Sequence, residues 1–389
     1  MLANIKSNLI LKKIFMNMID LKILKIINYT KNLMNKLNVS IEDFKEYTLL
    51  QEFNLQISSS IKKVNKRAKS IKFNFQNINN KLLNLFCSIS FNYLEDLNLG
   101  NNDFYNIEFL EKARFPELEK LDLKHNFISD INILKNVDFK NLKELNLSFN
   151  KLSDIDALKE VKFGDLEILN LNENSISNIN ILEHLHFKNL KELYLGNNKI
   201  LSIDVFEKVK FESLEKLFLS INKISDITVL EKVDLKMLKE LYLSYTNLSD
   251  ISILSKVKFE NLEKLDLSLN NITDINVLKR VNFKKLKDLN LWKNEIQDIN
   301  VLEKVGFEEL KKLNLCNNSI SDISVIEKVI FPELEELKLG DNKISDIKGF
   351  KNTKFENLKI LDLSGIETES NDFMDIIEIL KPKIKFLFY

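Results

Sequence analysis

The side chains that most often bind metals or act as nucleophiles are scarce in this sequence. It holds three His and two Cys among 389 residues. His184 and His186 have the spacing of two metal ligands, but no third ligand stands in register with them. His125 is predicted to lie alone on a sheet surface. We therefore expect neither a metal site nor a cofactor.

Catalytic and phosphate-binding motifs are also missing. With seven Gly, the sequence contains no Gly-rich phosphate loop and no His-Glu-x-x-His motif. Two Cys cannot form a disulfide framework, so Cys87 and Cys316 are expected to be free thiols. Together these observations predict a protein that is not an enzyme.

The charge balance and the apolar runs limit the partners and the compartment. The 57 basic and 57 acidic residues cancel, which argues against binding to nucleic acid or to an anionic membrane. No uncharged apolar run is long enough for a membrane span, and no signal peptide is recognisable. We expect a cytoplasmic protein, with the nucleus as an alternative because residues 62–69 are basic.

A repeat of 24 residues organises most of the chain. Phe recurs at this interval from Phe91 to Phe355, with Leu235 replacing it once, and this defines twelve units over residues 91–370. Within one unit, Leu265 and Leu267 alternate with polar residues, as a strand with one buried face requires. Asn270 follows at the turn, where an amide can donate to and accept from unpaired backbone groups.

The segment from Leu262 to Ile272 reads L-x-x-L-x-L-x-x-N-x-I, which resembles the leucine-rich-repeat signature. That resemblance implies an α/β fold, a right-handed leucine-rich-repeat solenoid with a curved parallel sheet on its concave side and short helices on its convex side. The Asn-x-Ile-Ser-Asp-Ile runs, as at residues 222–227, resemble internalins and the leucine-rich-repeat regulatory subunit of protein phosphatase one. Both families imply a protein ligand on the concave face, and the second leaves a phosphatase regulatory subunit as an alternative function.

Each short helix is predicted to begin at a good N-cap residue. A Glu three residues later, as at Glu183 and Glu207, would complete a capping box. The predicted N-caps are Asn132, Asp156, Asn180, Asp204, Thr228, Ser252, Asn276, Asn300 and Ser324.

The two ends of the chain depart from the repeat. Residues 67–90 are interpreted as a degenerate first repeat, and residues 371–389 as a C-terminal cap with a helix followed by an edge strand from Ile384 to Tyr389. Residues 1–66 are interpreted either as a small helical N-terminal cap or as an F-box-like segment. Residues 9–33 resemble a degenerate F-box, which would imply a substrate adaptor of a ubiquitin ligase whose residues 5–45 dock a Skp-type linker.

Charges alternate in sign from unit to unit on the predicted concave face. The residue before the second Leu of each unit runs Asp96, Lys120, Glu144 and, after Ile168, continues from Glu192 with the same alternation. Neighbouring parallel strands lie about 4.8 Å apart, so opposite charges would pair across them. We predict a salt-bridged sheet surface that supports the fold.

Seven large apolar or aromatic residues gather on the same face in units five to nine. Tyr and Trp are favoured at binding hot spots, so this cluster is the predicted protein-binding site. The alternative is that the rings stack along the sheet for local stability alone. The candidate residues are Tyr194, Phe218, Ile221, Tyr242, Tyr245, Leu269 and Trp292.

Overall fold

The computed structural model describes residues 53–54, 69–72, 87, 91–185, 188–353, 355–366 and 372–389. Apart from residues 53–54, the proposed helical or F-box-like segment lies outside these ranges, as do most of the degenerate first repeat and His186.

The described strands form one parallel sheet of fifteen strands in chain order. Each repeat contributes one strand of three residues, whose middle Leu is buried while its two neighbours face outward. The strands are β1 Phe53–Asn54, β2 Ser70–Lys72, β3 Asp96–Asn98, β4 Lys120–Asp122, β5 Glu144–Asn146, β6 Ile168–Asn170, β7 Glu192–Tyr194, β8 Lys216–Phe218, β9 Glu240–Tyr242, β10 Lys264–Asp266, β11 Asp288–Asn290, β12 Lys312–Asn314, β13 Glu336–Lys338, β14 Ile360–Asp362 and β15 Phe386–Phe388.

Strand register follows the sequence period. From β3 to β14 every residue pairs with the one 24 positions later, as in Leu97 with Leu121 and Leu265 with Leu289. Consecutive buried Leu side chains therefore stack into a continuous core. This arrangement confirms the predicted solenoid, because no unit could bury its own Leu face without its neighbours.

The second half of each of the first eleven units forms a 3-10 helix rather than a turn of α-helix. The described 3-10 helices are Glu108–Lys112, Asn132–Lys135, Asp156–Glu160, Asn180–His184, Asp204–Lys208, Thr228–Glu231, Ser252–Ser255, Asn276–Arg280, Asn300–Lys304, Ser324–Glu327 and Lys348–Phe350. Few residues are available for each connection, and a 3-10 turn closes with an i to i+3 hydrogen bond over a short stretch.

The predicted N-caps and capping boxes are wrong. Asn132 and its equivalents are the first helical residues, and the N-cap position holds an Ile that makes no side-chain hydrogen bond. The carboxylate of Asp130 instead accepts from the backbone N–H of Asn132 at 2.7 Å, an Asx turn. Glu183 and Glu207 form ion pairs with a Lys of the next unit, Lys208 and Lys232.

Where the structure describes it, the leading Phe of a unit packs into the core beneath the connection, and several of these rings stack in pairs. Ring centroids of Phe115 and Phe139 are 6.2 Å apart and those of Phe139 and Phe163 are 6.4 Å apart. The rings are nearly parallel in both pairs. These stacked pairs join neighbouring units on the side of the core away from the sheet.

The turn position that recurs from unit to unit carries a ladder of Asn side chains, whose hydrogen bonds connect adjacent units. The Asn150 amide donates to the carbonyls of Leu147 and, in the preceding unit, Leu123, both at 3.0 Å, while its oxygen accepts from the N–H of Ile128 at 3.0 Å. This confirms the predicted dual role of the amide. Thr246 and Ile366 are the exceptions to Asn at this position. The Thr246 hydroxyl donates to the carbonyl of Leu243 at 2.7 Å.

A helix and a last strand follow the repeats at the C-terminal end, as predicted. Helix α1, Asp372–Leu380, buries Ile376, Ile377 and Leu380 against the core. Strand β15 then pairs with β14 in parallel, with Leu361 opposite Leu387.

Candidate ligand-binding face

The face of the sheet opposite the buried Leu residues, called here the open face, carries the ladder of charges. Lys216 lies between two acids of the neighbouring strands, with its Nζ 3.3 Å from Glu192 and 3.5 Å from Glu240. The preceding residues pair in the same way, as in Lys239 with Glu215 at 2.8 Å. The predicted salt-bridged surface is confirmed, and these charges are already engaged with one another.

The third residue of each strand normally has a structural task. In eight described units it is Asn or Asp, and its side-chain oxygen accepts the backbone N–H two residues on at 3.0 to 3.1 Å. This bond fixes the turn by which the chain leaves the sheet. An Asn or Asp at this position therefore serves the fold.

Three consecutive units replace this Asn or Asp by an aromatic residue. The rings of Tyr194, Phe218 and Tyr242 form a continuous stack, with centroid distances of 4.4 Å and 4.0 Å. All three side chains are half-buried. We call these residues the aromatic stack.

Neighbouring side chains replace two of the turn bonds that the aromatic stack gives up. The N–H of Gly196 donates to the side-chain oxygen of Asn172 at 2.6 Å. The N–H of Ser244 donates to the hydroxyl of Ser220 at 3.1 Å. Both acceptors belong to the preceding unit, so the turn is maintained without its usual acceptor.

Charged groups of the ladder surround the stack. The hydroxyls of Tyr194 and Tyr242 donate to the carboxylates of Glu192 and Glu240, and the ammonium of Lys264 lies 5.2 Å from the Tyr242 ring centroid. Burial, reinforced by the acceptor carboxylate, raises the pKa of each phenol well above its ordinary range. Both phenols therefore stay neutral near pH 7, and the stack presents uncharged ring edges flanked by paired charges.

A second column of apolar side chains runs beside the stack, just before the Asn ladder. Ile221 and Tyr245 are 43% and 55% exposed, and Leu269 is half-buried. Their backbone φ values are 57°, 54° and 57°, in the left-handed region that the equivalent residue of each unit from Asn101 to Asp341 adopts. What distinguishes these three is that apolar side chains occupy this position in three consecutive units. A β-branched residue such as Ile221 is uncommon there, because its side chain crowds the backbone. We call these three residues the left-handed column.

Trp292 lies apart from the other six candidate residues. It is half-buried two units beyond Tyr245, and its carbonyl accepts from the N–H of Leu269 at 2.8 Å. The ammonium of Lys293 lies 5.9 Å from its ring. No ring contact joins Trp292 to the aromatic stack within the described ranges. The structure thus brings three candidates into one stack and three into an adjoining column. It places Trp292 beyond both groups, directly before Lys293, which holds the column position of its unit.

Sequence models of leucine-rich repeats match this chain. A model with two copies of the repeat matches residues 188–232 and 236–280, and a model of a single repeat matches residues 140–159. These ranges include the strands, the Asn ladder and the 3-10 turns described above. The repeating units are leucine-rich repeats.

Solved structures of leucine-rich-repeat proteins share the architecture. An internalin of Listeria monocytogenes is 27% identical with a TM-score of 0.62, covering 80% of this chain and 82% of its own. A leucine-rich-repeat protein of Leptospira interrogans is 21% identical with a TM-score of 0.70, covering 90% of this chain and 92% of its own. A plant peptide hormone receptor in complex with RGF2 is 20% identical with a TM-score of 0.56, covering 89% and 63%. No curated protein sequence matches this chain.

Leucine-rich-repeat proteins generally mediate protein–protein interactions and are typically not enzymes. Among the described residues, no group of three or more His, Cys, Asp or Glu is placed to hold a metal ion. Within the same ranges, no helix is both long and apolar enough to cross a membrane.

The two Cys of these repeats are free and buried. Burial raises the pKa of the Cys87 thiol to about 12. Burial and then the neighbouring Asp362 carboxylate raise that of Cys316 to about 12 as well. Neither thiol is therefore ionised near neutral pH, and neither resembles a nucleophile.

Sequence reasoning missed a second group of rings in the first three leucine-rich repeats. His125 does not lie alone as predicted, because its ring stacks on Phe149 at 4.0 Å. Tyr105 stacks on Phe127 at 5.2 Å, and these residues are 70% and 39% exposed. His125 and Phe149 are 24 residues apart, so a comparison of equivalent positions in the sequence could have identified this pair. The second pair joins different positions of adjacent loops, which a comparison of equivalent positions cannot detect.

Proposed function

We propose that this chain is a non-enzymatic protein-binding module whose ligand docks on the open face of the central leucine-rich repeats. The ligand-contacting residues are Tyr194, Phe218, Ile221, Tyr242, Tyr245, Leu269 and Trp292. The observation that carries the proposal is the left-handed column, where exposed apolar side chains occupy backbone that disfavours them. A protein of similar fold, the plant peptide hormone receptor, forms a complex with RGF2, which is consistent with a binding role for this fold.

Approximate energies distinguish the aromatic stack from the left-handed column. Two of the three turn hydrogen bonds that the stack gives up are replaced, so the loss is about 1 kcal/mol for the third, and each of the two stacked ring pairs returns about 0.5–1.5 kcal/mol. The aromatic stack therefore does not destabilise the fold. Holding Ile221 in the left-handed region costs about 1–2 kcal/mol, and its exposed side chain regains little by burial. Contact with a ligand would supply the missing stabilisation.

The chemistry of the face suggests the kind of ligand. Its centre offers ring edges and aliphatic groups, while the surrounding Lys and Glu residues are paired with one another. A partner with an apolar or aromatic patch and few net charges fits this surface. A highly charged partner would have to break existing ion pairs.

A triple substitution to Asn tests the proposal, because Asn is the residue that most units carry at these positions. The variant Tyr194→Asn/Phe218→Asn/Tyr242→Asn can form the usual turn bonds and should keep its circular dichroism spectrum and melting temperature. Affinity purification coupled to mass spectrometry should then lose the partners that the unsubstituted protein retains. A matched control is Leu201→Asn/Met237→Asn/Ile330→Asn, which changes exposed residues outside the open face. This control should keep every partner.

Trp292 provides a direct readout of the site, since it is the single Trp of the chain. A purified partner that covers the open face should shift or quench its fluorescence, and the triple Asn variant should lose that response. Unchanged partners for a well-folded triple Asn variant would contradict the proposal. Loss of partners in the control variant alone would contradict it as well.

The adaptor and phosphatase alternatives make separate predictions. An F-box-like adaptor requires residues 1–66 to bind a Skp-type linker in vitro, and failure of that binding would eliminate it. A phosphatase regulatory subunit should co-purify with a phosphatase catalytic subunit. The described residues favour neither alternative over a general protein-binding module.

A further inference from the structure

The C-terminal end of the solenoid is covered by apolar side chains. Solenoids usually end in caps with a polar outer surface, because an uncovered repeat associates with other chains. Here five large apolar residues of the cap are about half exposed. They are Met374 (51%), Ile379 (42%), Phe386 (47%), Phe388 (51%) and Tyr389 (52%).

Strand β15 has an unpaired outer edge. Its inner edge is used, because the Phe386 N–H donates to the Lys359 carbonyl at 2.9 Å and the Phe388 carbonyl accepts from Leu363 at 2.8 Å. Backbone groups of alternate residues point to opposite edges of a strand. The N–H and C=O of Leu387 therefore point outward, and no described strand pairs with them.

We propose that β15 pairs edge to edge with β15 of a second copy of this chain, antiparallel about a two-fold axis at Leu387. In this register Leu387 faces Leu387 of the second copy, and each donates its N–H to the carbonyl of the other. Lys385 faces Tyr389 of the second copy, so the outward Tyr389 N–H reaches the Lys385 carbonyl. The outward backbone groups of both copies are then used in four hydrogen bonds.

The side chains of β15 suit the same register. Phe386 faces Phe388 of the second copy in a non-hydrogen-bonded pair, where Cα atoms approach to about 4.5 Å. Both rings lie on the open face, and such aromatic pairs stabilise neighbouring strands. The order Phe-Leu-Phe reads the same in both directions, so the surface is self-complementary as a two-fold interface requires.

The size and charge of this surface set the strength of the association. Half-exposed aromatic side chains bury about 100 Å² each, so Phe386, Phe388 and Tyr389 of the two copies give roughly 600 Å² in total, well below the usual ~1,600 Å² of a stable interface. The exposed Lys383 and Lys385 of both copies are brought near one another. The dimer should therefore be weak and should tighten as salt screens this repulsion.

Sedimentation velocity of the full chain tests the proposal. A monomer–dimer equilibrium is expected between about 1 µM and about 200 µM, with a smaller dissociation constant at higher salt. The edge variant Phe386→Lys/Phe388→Lys should be monomeric over this range with unchanged circular dichroism. The matched control Tyr93→Lys/Tyr105→Lys, which changes residues 53% and 70% exposed in the first unit, should still dimerise.

Disulfide trapping tests the register independently of any loss of stability. Under mild oxidation, a mixture of Phe386→Cys and Phe388→Cys chains should form a cross-linked dimer faster than either variant alone, because these positions face each other. A chain that stays monomeric at every concentration would overturn the proposal. Self-association that the edge variant leaves unchanged would also overturn it, as would cross-linking of Phe386→Cys chains alone at the rate of the mixture.

Discussion

At the scale of single residues, the Asn ladder stabilises the fold, whereas the left-handed column strains the backbone. Each ladder Asn satisfies buried backbone groups of two units at once, as Asn270 does for Leu243 and Leu267. No buried side-chain nitrogen or oxygen lacks a hydrogen bond within the described part of the chain. Ile221, directly before the ladder residue Asn222, instead holds a strained backbone with an exposed side chain.

Replacing Thr246 by Asn should stabilise the protein. In the described structure the Thr246 hydroxyl reaches Leu243 within its own unit and Asn270 of the next unit, but no bond reaches the preceding unit. An Asn could bridge to that unit as its equivalents do, and each added bond contributes about 1 kcal/mol. Urea denaturation should show a free energy of unfolding raised by about 1–2 kcal/mol. Thr228→Asn, an exposed convex change, should have little effect.

Replacing Ile221 by Asn should also stabilise the fold while weakening ligand binding. Asn tolerates the left-handed backbone that Ile221 occupies at φ 57°. We expect the free energy of unfolding to rise by about 1 kcal/mol and the affinity for a partner to fall. Thermal melts and binding titrations on the same samples separate the two effects. A clear loss of stability would show that Ile221 serves the fold and not a ligand.

At the scale of the elements, each 3-10 turn depends on a short polar side chain placed before it. The Asp250 carboxylate accepts from the Ser252 N–H at 2.7 Å, and the Asp322 carboxylate accepts from the Ser324 N–H at 2.8 Å. These backbone bonds, with smaller contributions from the Ser hydroxyls, hold the pKa of both Asp residues below the ordinary 3.8. A row of such turns lines one edge of the solenoid.

Acid should therefore weaken the turns. A carboxylate whose folded pKa is lowered adds stability above its unfolded pKa, and that stability is lost as the pH falls through the folded value. The melting temperature should drop as the pH falls below the ordinary Asp pKa of 3.8 and through the lower folded values of Asp250 and Asp322. The variant Asp250→Asn/Asp322→Asn keeps an acceptor oxygen and should show a shallower drop. Asp103→Asn, at an exposed position outside these turns, should leave the slope as it was.

At the scale of the whole molecule, the equal numbers of acidic and basic residues reflect pairing across strands. Lys120 pairs with Glu144, and Lys264 pairs with Asp288, each joining adjacent units. Exposed pairs of this kind contribute little stability individually. Because these charges are paired, the open face has no strong electrostatic field of either sign. The regions of this face therefore differ mainly in their uncharged patches.

Ligand binding at the open face should be nearly independent of salt. Association driven by apolar contacts lacks the steep salt dependence of charge-steered binding. Raising the ionic strength about tenfold should change the dissociation constant of a purified partner by less than about threefold. Titrations followed by Trp292 fluorescence measure this. A loss of affinity by orders of magnitude would place the ligand on the charge ladder instead.

Local patterns in the sequence were enough to predict the repeats and their packing, because both predictions depend only on the spacing of residues. Leu265, Leu267 and Asn270 recur with a constant period, so one interpretation of a unit transfers to the others. The position of the C-terminal helix and of β15 followed from the same kind of pattern. The N-caps failed because Asp130 and its equivalents compete for the same backbone N–H groups as the predicted caps.

The sequence by itself determined the solenoid, its twelve-unit register and the pairing of charges on its open face. Only the tertiary structure decided which apolar residues meet, since Tyr105 reaches Phe127 across loops at unequal positions and Trp292 does not reach the aromatic stack. It also decided that Ile221 and Tyr245 occupy left-handed backbone. The physical reason is that a period specifies which backbone positions are equivalent, whereas ring contacts and backbone strain depend on the path of the chain between strands.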